Sequence, residues 1–179
     1  MLPFYPLELR NKIVVVGVSA SGKSVFARRL ATKVNLPIVF MDAIMWKPGW
    51  NYIGDEETVK KLNEESAKPR WIIEGYIVKE ARSFVFERAE SIIYLDYHPL
   101  VASLRYIQRW WMHRKNPRFE LEGSPEKFSW KFLKLVWTKG ETVSLNKFLA
   151  QLKDQNKIIK LRSPKQARRF LSYIGIAEV

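Results

Sequence analysis

The sequence predicts an α/β fold, a parallel sheet with helices on both faces, from three observations. Short apolar blocks rich in β-branched residues alternate with longer stretches of helical spacing. The blocks are nearly continuous in hydrophobicity, as strands buried on both faces are. A glycine-rich loop ending in lysine and serine lies between the first block and the first helical stretch. With 179 residues the chain is long enough to bury one sizeable core, and a single domain over 1–179 is expected.

Five strands are predicted, over 12–17, 37–42, 71–75, 91–96 and 157–162. Each holds branched or aromatic residues, as in Ile13-Val14-Val15-Val16 and Trp71-Ile72-Ile73. Helical spacing fills the intervals, over 22–34, 56–67, 79–88, 99–115, 125–137, 145–155 and 165–174. In the first of these, Phe26, Leu30 and Val34 fall on one face. The irregular stretch 116–124 carries proline, glycine and mixed charge, and a polar break inside a small domain predicts a functional loop. A lid over about 114–125 is expected there.

Composition narrows the function. No cysteine is present, which excludes disulfides and thiolate metal sites, and two histidines, His98 and His113, are too few for a histidine-rich one. No apolar run approaches a bilayer span, so a membrane partner is not expected. The first residues lack the layout of a signal or transit peptide, and a cytoplasmic location is the expectation. The net charge of +13 attracts polyanions. Nucleoside triphosphates, nucleic acids and anionic lipids all qualify.

Residues 17–24, Gly-Val-Ser-Ala-Ser-Gly-Lys-Ser, fit the P-loop pattern G-x-x-x-x-G-K-S/T between a strand and a helix, the context that pattern requires. Gly17 and Gly22 let the backbone turn its N–H groups toward phosphate oxygens, and Ser19, Ala20, Ser21 and Val25 complete the wrap. The helix after Gly22 aims its positive end at the same anion. Lys23 supplies a point charge near the β- and γ-phosphates, and Ser24 a hydroxyl for Mg²⁺. ATP and Mg²⁺ are therefore the expected ligands.

Three predicted strands finish in an acid, Asp42, Glu74 and Asp96, at the carboxyl edge where ligands bind in open parallel sheets. Glu74, followed by Gly75, has the layout of a Walker B acid and is assigned to the metal. Asp42 leads into Trp46-Lys47-Pro48-Gly49-Trp50, where the carboxylate and the rings of Trp46 and Trp50 fit an acceptor site. The alternative is core packing for the tryptophans and a helix cap for Asp42. Asp96 fits a metal role or a helix cap equally.

Arg105, Arg109 and His113 share one helical face, followed by Arg114, Lys115 and Arg118. Guanidinium groups on a lid stabilise the charge of a moving phosphoryl group, and Arg109 and Arg114 are the first candidates. A solvated basic face is the alternative. Arg162, after the last strand, is placed near the adenine.

Taken in order, the P-loop, Asp-x-x-x-Trp-x-Pro-Gly-Trp at 42–50, Trp-Ile-Ile-Glu-Gly at 71–75, Ile-Ile-Tyr-Leu-Asp at 92–96, the arginine-rich helix and Leu-Arg-Ser at 161–163 form a pattern. It resembles the DNA topology modulation (FlaR-like) family of P-loop kinases, itself similar to adenylate and shikimate kinases. The resemblance covers nearly all of the chain after residue 11. It implies a three-layer P-loop fold with strand order 2-3-1-4-5, an acceptor-binding region over about 42–70 and an arginine lid, and Gly75 is a further acceptor-binding candidate. It departs from the family at Glu74-Gly75-Tyr76-Ile77, where Asp-Gly-Asn-Tyr is the commoner form. Two functions follow: an ATP–Mg²⁺ phosphotransferase acting on a small acceptor such as a nucleotide, or a nucleic-acid-binding regulator of DNA topology that uses ATP as a ligand or switch. Steeply salt-dependent DNA binding marks the second.

Overall fold

The structure is a computed structural model and describes residues 10–118, 121 and 123–174. Three residues of the expected lid, at 119, 120 and 122, lie outside those described.

Five parallel strands form the main sheet: β1 (Lys12–Gly17), β2 (Ile38–Phe40), β5 (Trp71–Glu74), β6 (Ser91–Leu95) and β7 (Ile158–Leu161). Their order is β2-β5-β1-β6-β7, which is 2-3-1-4-5 when only these strands are counted. β1 lies in the middle, Ile13 opposite both Ile72 and Ser91. Side chains alternate across its plane. Ile13 and Val15 join Phe26, Leu30, Leu161 and Phe170 on one face, beneath α1 (Lys23–Val34) and α8 (Pro164–Tyr173). Val14 and Val16 join Leu62, Ile73, Phe86 and Leu145 on the other, beneath α3 (Asp55–Ala67), α4 (Lys79–Arg88) and α7 (Gly140–Ala150). All four residues Ile13 to Val16 are at most 1% exposed, each contributing about 1.5–3 kcal/mol of transfer free energy.

α5 (Pro99–His113) and α6 (Trp130–Trp137) pack against each other away from the sheet. The start of each is written in the sequence. His98 accepts a hydrogen bond from Leu100 N–H with Pro99 at the first helical position, and Ser129 accepts from Phe132 N–H.

Four boundaries differ from the sequence reading. β2 stops at Phe40, and residues 41–45 turn into a short helix, α2 (Met41–Met45), which carries Asp42 in its first turn. The tryptophan segment forms a hairpin, β3 (Trp46–Lys47) against β4 (Asn51–Tyr52), around Pro48-Gly49 with Gly49 at φ 82°. Residues 125–129 are not helical, because Ser129 caps α6 from an extended conformation. α7 begins five residues before the expected start at 145, after Lys139 takes a left-handed φ of 53°.

Trp71 is fully buried, with its indole N–H donating to Ser66 O at 3.1 Å. Trp71→Ala is expected to destabilise the protein by about 3–5 kcal/mol. Trp130→Ala, at a side chain 75% exposed, is expected to change stability by less than about 0.5 kcal/mol. Urea denaturation of both variants checks the contrast.

Candidate active site

The loop from β1 to α1 holds its shape through backbone conformations that few residues adopt. Gly17, Ala20 and Gly22 have φ of 150°, 60° and 89°. A Cβ on Gly17 would lie 2.4 Å from Leu95 O, so only glycine fits between the loop and β6. Ser21 N–H donates to Val18 O at 3.1 Å, closing the turn. Gly22 stands at the N-cap of α1 with no side chain to cap it, and the first turn carries no acid. α5, α6 and α8 start instead on His98, Ser129 and Ser163, each of which caps its helix. The amino end of α1 therefore keeps its N–H donors and positive dipole for an outside anion.

Two side chains strengthen that demand. Ser21 Oγ is buried without a hydrogen-bond partner. Lys23 Nζ folds back onto Gly17 O at 3.1 Å and Val18 O at 3.0 Å, holding its ammonium over the loop. A polyphosphate fits this donor set. Arg105 Nη1 donates to Ser21 O, and its guanidinium stacks 5.4 Å over the Tyr97 ring.

Glu74 closes β5 beside the loop and is 5% exposed. Burial pushes its carboxyl up to about 7, aided by the charge of Asp42, while Lys23, a hydrogen bond from Ser24 and Arg118 pull the other way. Ser24 and Glu74 thus offer a hydroxyl and a carboxylate side by side. Among the described residues no group of three or more acidic or histidine ligands gathers. A cation held here takes its other ligands from water and phosphate, which suits Mg²⁺.

Opposite the loop, four charged side chains form a row. Asp42 Oδ2 accepts from Arg118 Nη2 at 3.1 Å, and Arg118 Nε and Arg109 Nε lie 2.9 and 3.2 Å from the same oxygen, Oε1 of Glu126. Glu126 is buried between them, yet neither Nε–H is aligned with Oε1 for a hydrogen bond. The pairing is one of charge and proximity, and both arginines border the cavity. Gly75, at φ 130°, passes so close to α2 that a Cβ would lie 2.7 Å from Met41 Cβ.

Arg82 of α4 is only 3% exposed. Its Nε donates to Ile77 O at 3.1 Å and Nη1 to Ser144 Oγ at 2.8 Å. Among the described residues no carboxylate pairs with it.

Apart from Glu126, these charged groups line one cavity of about 780 Å³. Gly17 and every residue from Ser19 to Val25 border it, as do Asp42, Glu74, Gly75 and Arg109. Arg82, Arg105, Arg118 and Arg168 add positive charge that single-residue sequence assignments did not include. Trp46 and Trp50 do not border it. They pack edge-on with ring centroids 5.7 Å apart, and Trp46 also meets Tyr52. Trp50 donates through Nε1 to Pro125 O at 2.9 Å, and Ser124 Oγ accepts from Gly49 N–H and Trp50 N–H. The hairpin therefore anchors the carboxyl end of the expected lid, at Ser124 and Pro125. Arg114 stacks on Trp110 and Trp111 outside the cavity. Arg162 is exposed and away from the cavity, while Arg168 one helical turn into α8 reaches it. Asp96 is held by Lys139 at 2.7 Å and Lys160 at 2.9 Å. Burial raises its pKa, but the two lysines outweigh that and leave it lowered.

Among solved structures this architecture has many counterparts. Shikimate kinase from Bacteroides thetaiotaomicron aligns with a TM-score of 0.57 at 16% identity, over 91% of this chain and 95% of that one. The YorR protein of Bacillus subtilis, in complex with phosphorylated GDP, aligns with a TM-score of 0.55 at 15% identity, over 90% and 92%. The fold is that of the P-loop kinases. A gluconokinase from Sinorhizobium meliloti 1021 shares it, with a TM-score of 0.52 at 19% identity over 93% and 94%. No family model and no curated protein matches the chain.

Glu74 gives the P-loop kinase fold here a pH signature. Its folded pKa of about 7 lies above the ordinary 4.5, so the folded state binds more protons than the unfolded one between those values. Stability of the nucleotide-free protein is expected to fall as pH rises through that window, by a contribution of about 3 kcal/mol, and to level off above it. Glu74→Gln is expected to remove this slope in denaturation curves measured from pH 4 to 8 (roughly the window in which the carboxyl titrates).

Proposed function

We propose that the protein transfers the terminal phosphoryl group of ATP to a small acceptor bearing an anionic group, with nucleotides as the acceptor class. One observation carries the reading: the loop that offers unsatisfied donors to a polyphosphate borders the same cavity as Asp42, Arg118 and Arg109, the two arginines being tied together by buried Glu126. Seven arginines, at 28, 29, 82, 105, 109, 118 and 168, line that cavity together with Lys23, against two acids, Asp42 and Glu74. Such a field suits two anions brought together.

In this reading the loop amides and Lys23 hold the triphosphate, and Ser24 and Glu74 hold Mg²⁺ and its waters. The metal, when bound, neutralises charge on the phosphate oxygens. Asp42 accepts the proton of the acceptor hydroxyl as its oxygen bonds to the γ-phosphorus and the bond to the leaving diphosphate breaks. Arg109 and Arg118 turn N–H groups toward the moving phosphoryl group. Arg82, buried and paired with no carboxylate among the described residues, holds the acceptor's anionic group, because a counter-charge stabilises a buried guanidinium. The segment 114–125 acts as the lid, drawn toward Asp42 by Arg118. The resemblance to the topology modulation proteins supports the assignments of Lys23, Ser24 and Asp42. The net charge needs no nucleic acid to account for it, since much of it borders the cavity.

Steady-state assays over nucleoside monophosphates and other small anionic hydroxy compounds test the proposal. Lys23→Ala is expected to lower turnover about 10³-fold or more with the fold intact, and parental rates in this variant would end the reading. Asp42→Asn is expected to lower kcat about 10²-fold while ATP affinity changes little. Arg82→Met is expected to raise the acceptor KM tenfold or more, about the worth of a charge-assisted hydrogen bond, with the ATP KM unchanged.

A further inference from the structure

One large surface lies outside the cavity and is unused by the reaction. On α5, Leu100, Leu104, Ile107 and Trp111 recur at intervals of four, three and four, forming a single stripe, and they are 49%, 60%, 42% and 62% exposed. On α6, Trp130 and Trp137 are 75% and 54% exposed. Between the stripes runs an almost wholly apolar groove of about 370 Å³, with Leu133 on its floor and Lys134 at its edge. Monomers rarely leave apolar area of this extent uncovered, and a contiguous patch marks an interaction surface.

Charge decides what covers it. Neither α5 nor α6 contains an acidic residue. Arg114, Lys115, Lys127, Lys131 and Lys134 around them are exposed. Among the described residues from 97 to 140 the one acid is Glu126, which is buried against the arginines of the site; Glu120 and Glu122 lie outside the described residues. A second copy on this face would set Lys131 and Lys134 against their own counterparts, with no acid on either helix to offset them. A flat anionic phase accommodates both features. Indole rings settle at the headgroup level, aliphatic side chains enter the acyl boundary, and lysines reach back to the phosphates.

We propose that the α5/α6 face docks peripherally on an anionic lipid bilayer. Among the described residues no helix is long and apolar enough to cross a membrane, and none is needed for docking of this kind. The expectation of no membrane partner rested on the lack of an apolar span, which surface docking does not require. Arg105 and Arg109 leave α5 on its other side, toward the cavity, so a docked molecule keeps its reactive site clear of the lipid.

Flotation of the full chain with vesicles tests this directly. Vesicles of phosphatidylcholine alone are compared with vesicles containing about one-third phosphatidylglycerol, at low and physiological salt. The protein is expected to float with the anionic vesicles only and to be released as salt rises. Lys131→Glu with Lys134→Glu is expected to weaken partitioning at least about 25-fold, about fivefold for each lysine lost. Trp130→Ser with Trp137→Ser is expected to abolish flotation at physiological salt, while both double variants keep parental phosphoryl transfer in solution. Three results would each overturn the proposal: no flotation with anionic vesicles at low salt, undiminished flotation of the tryptophan variant, or a parental dimer in sedimentation that the same tryptophan changes dissociate. Circular dichroism of each variant separates loss of docking from loss of fold.

Discussion

The site depends on an electrostatic debt at the amino end of α1. Its N–H groups have no side-chain cap, no acid stands in its first turn, Ser21 Oγ is buried unpartnered, and Lys23 folds its ammonium over the carbonyls of the loop. Elsewhere α5, α6 and α8 satisfy such ends with His98, Ser129 and Ser163, and the uncapped α3 and α4 carry acids in their first turns. An uncapped helix beside a constrained glycine loop is stable enough because β1, in the centre of the sheet, is packed on both faces. The rigid core lets this local frustration persist until an anion relieves it.

Sheet topology then assembles the rest. With β1 between β5 and β6, the loop emerges next to Glu74 on one side and below the start of α5 on the other. β2, at the edge beyond β5, hands Asp42 to the same rim through the short helix α2. Residues distant in sequence thus meet without any local motif joining them. Arg109, Arg118, Glu126 and Asp42 span 84 positions of the chain and share one row of charge. The same row ties Arg118, in the segment after α5, to Asp42 at the rim of the sheet.

Much of this was legible in the sequence and part was not, for definite reasons. The five strands were readable because strands buried on both faces need continuous apolar runs, as at 13–16 and 71–73. The phosphate loop was readable because its constraints fall on consecutive residues. The hairpin at 46–52 was not, because two-residue strands leave no periodicity to detect, and the Pro48-Gly49 turn served equally well as an acceptor clamp. The tryptophans there spend their surface on each other and on 123–125 instead. Arg82 and Glu126 escaped because nothing in a one-dimensional pattern separates a buried charged residue from a solvated one. Arg114 and Arg162 show the converse: arginines in a suggestive stretch whose directions are set by packing, onto Trp110 and Trp111 in the first case.

Calorimetric titration of ATP with Mg²⁺ into the purified chain examines the electrostatic debt most directly. The account predicts one nucleotide bound per chain, with binding that weakens when adenosine replaces the triphosphate, because the loop recognises phosphate oxygens. Absence of binding heat, or adenosine binding as tightly as ATP, would contradict it.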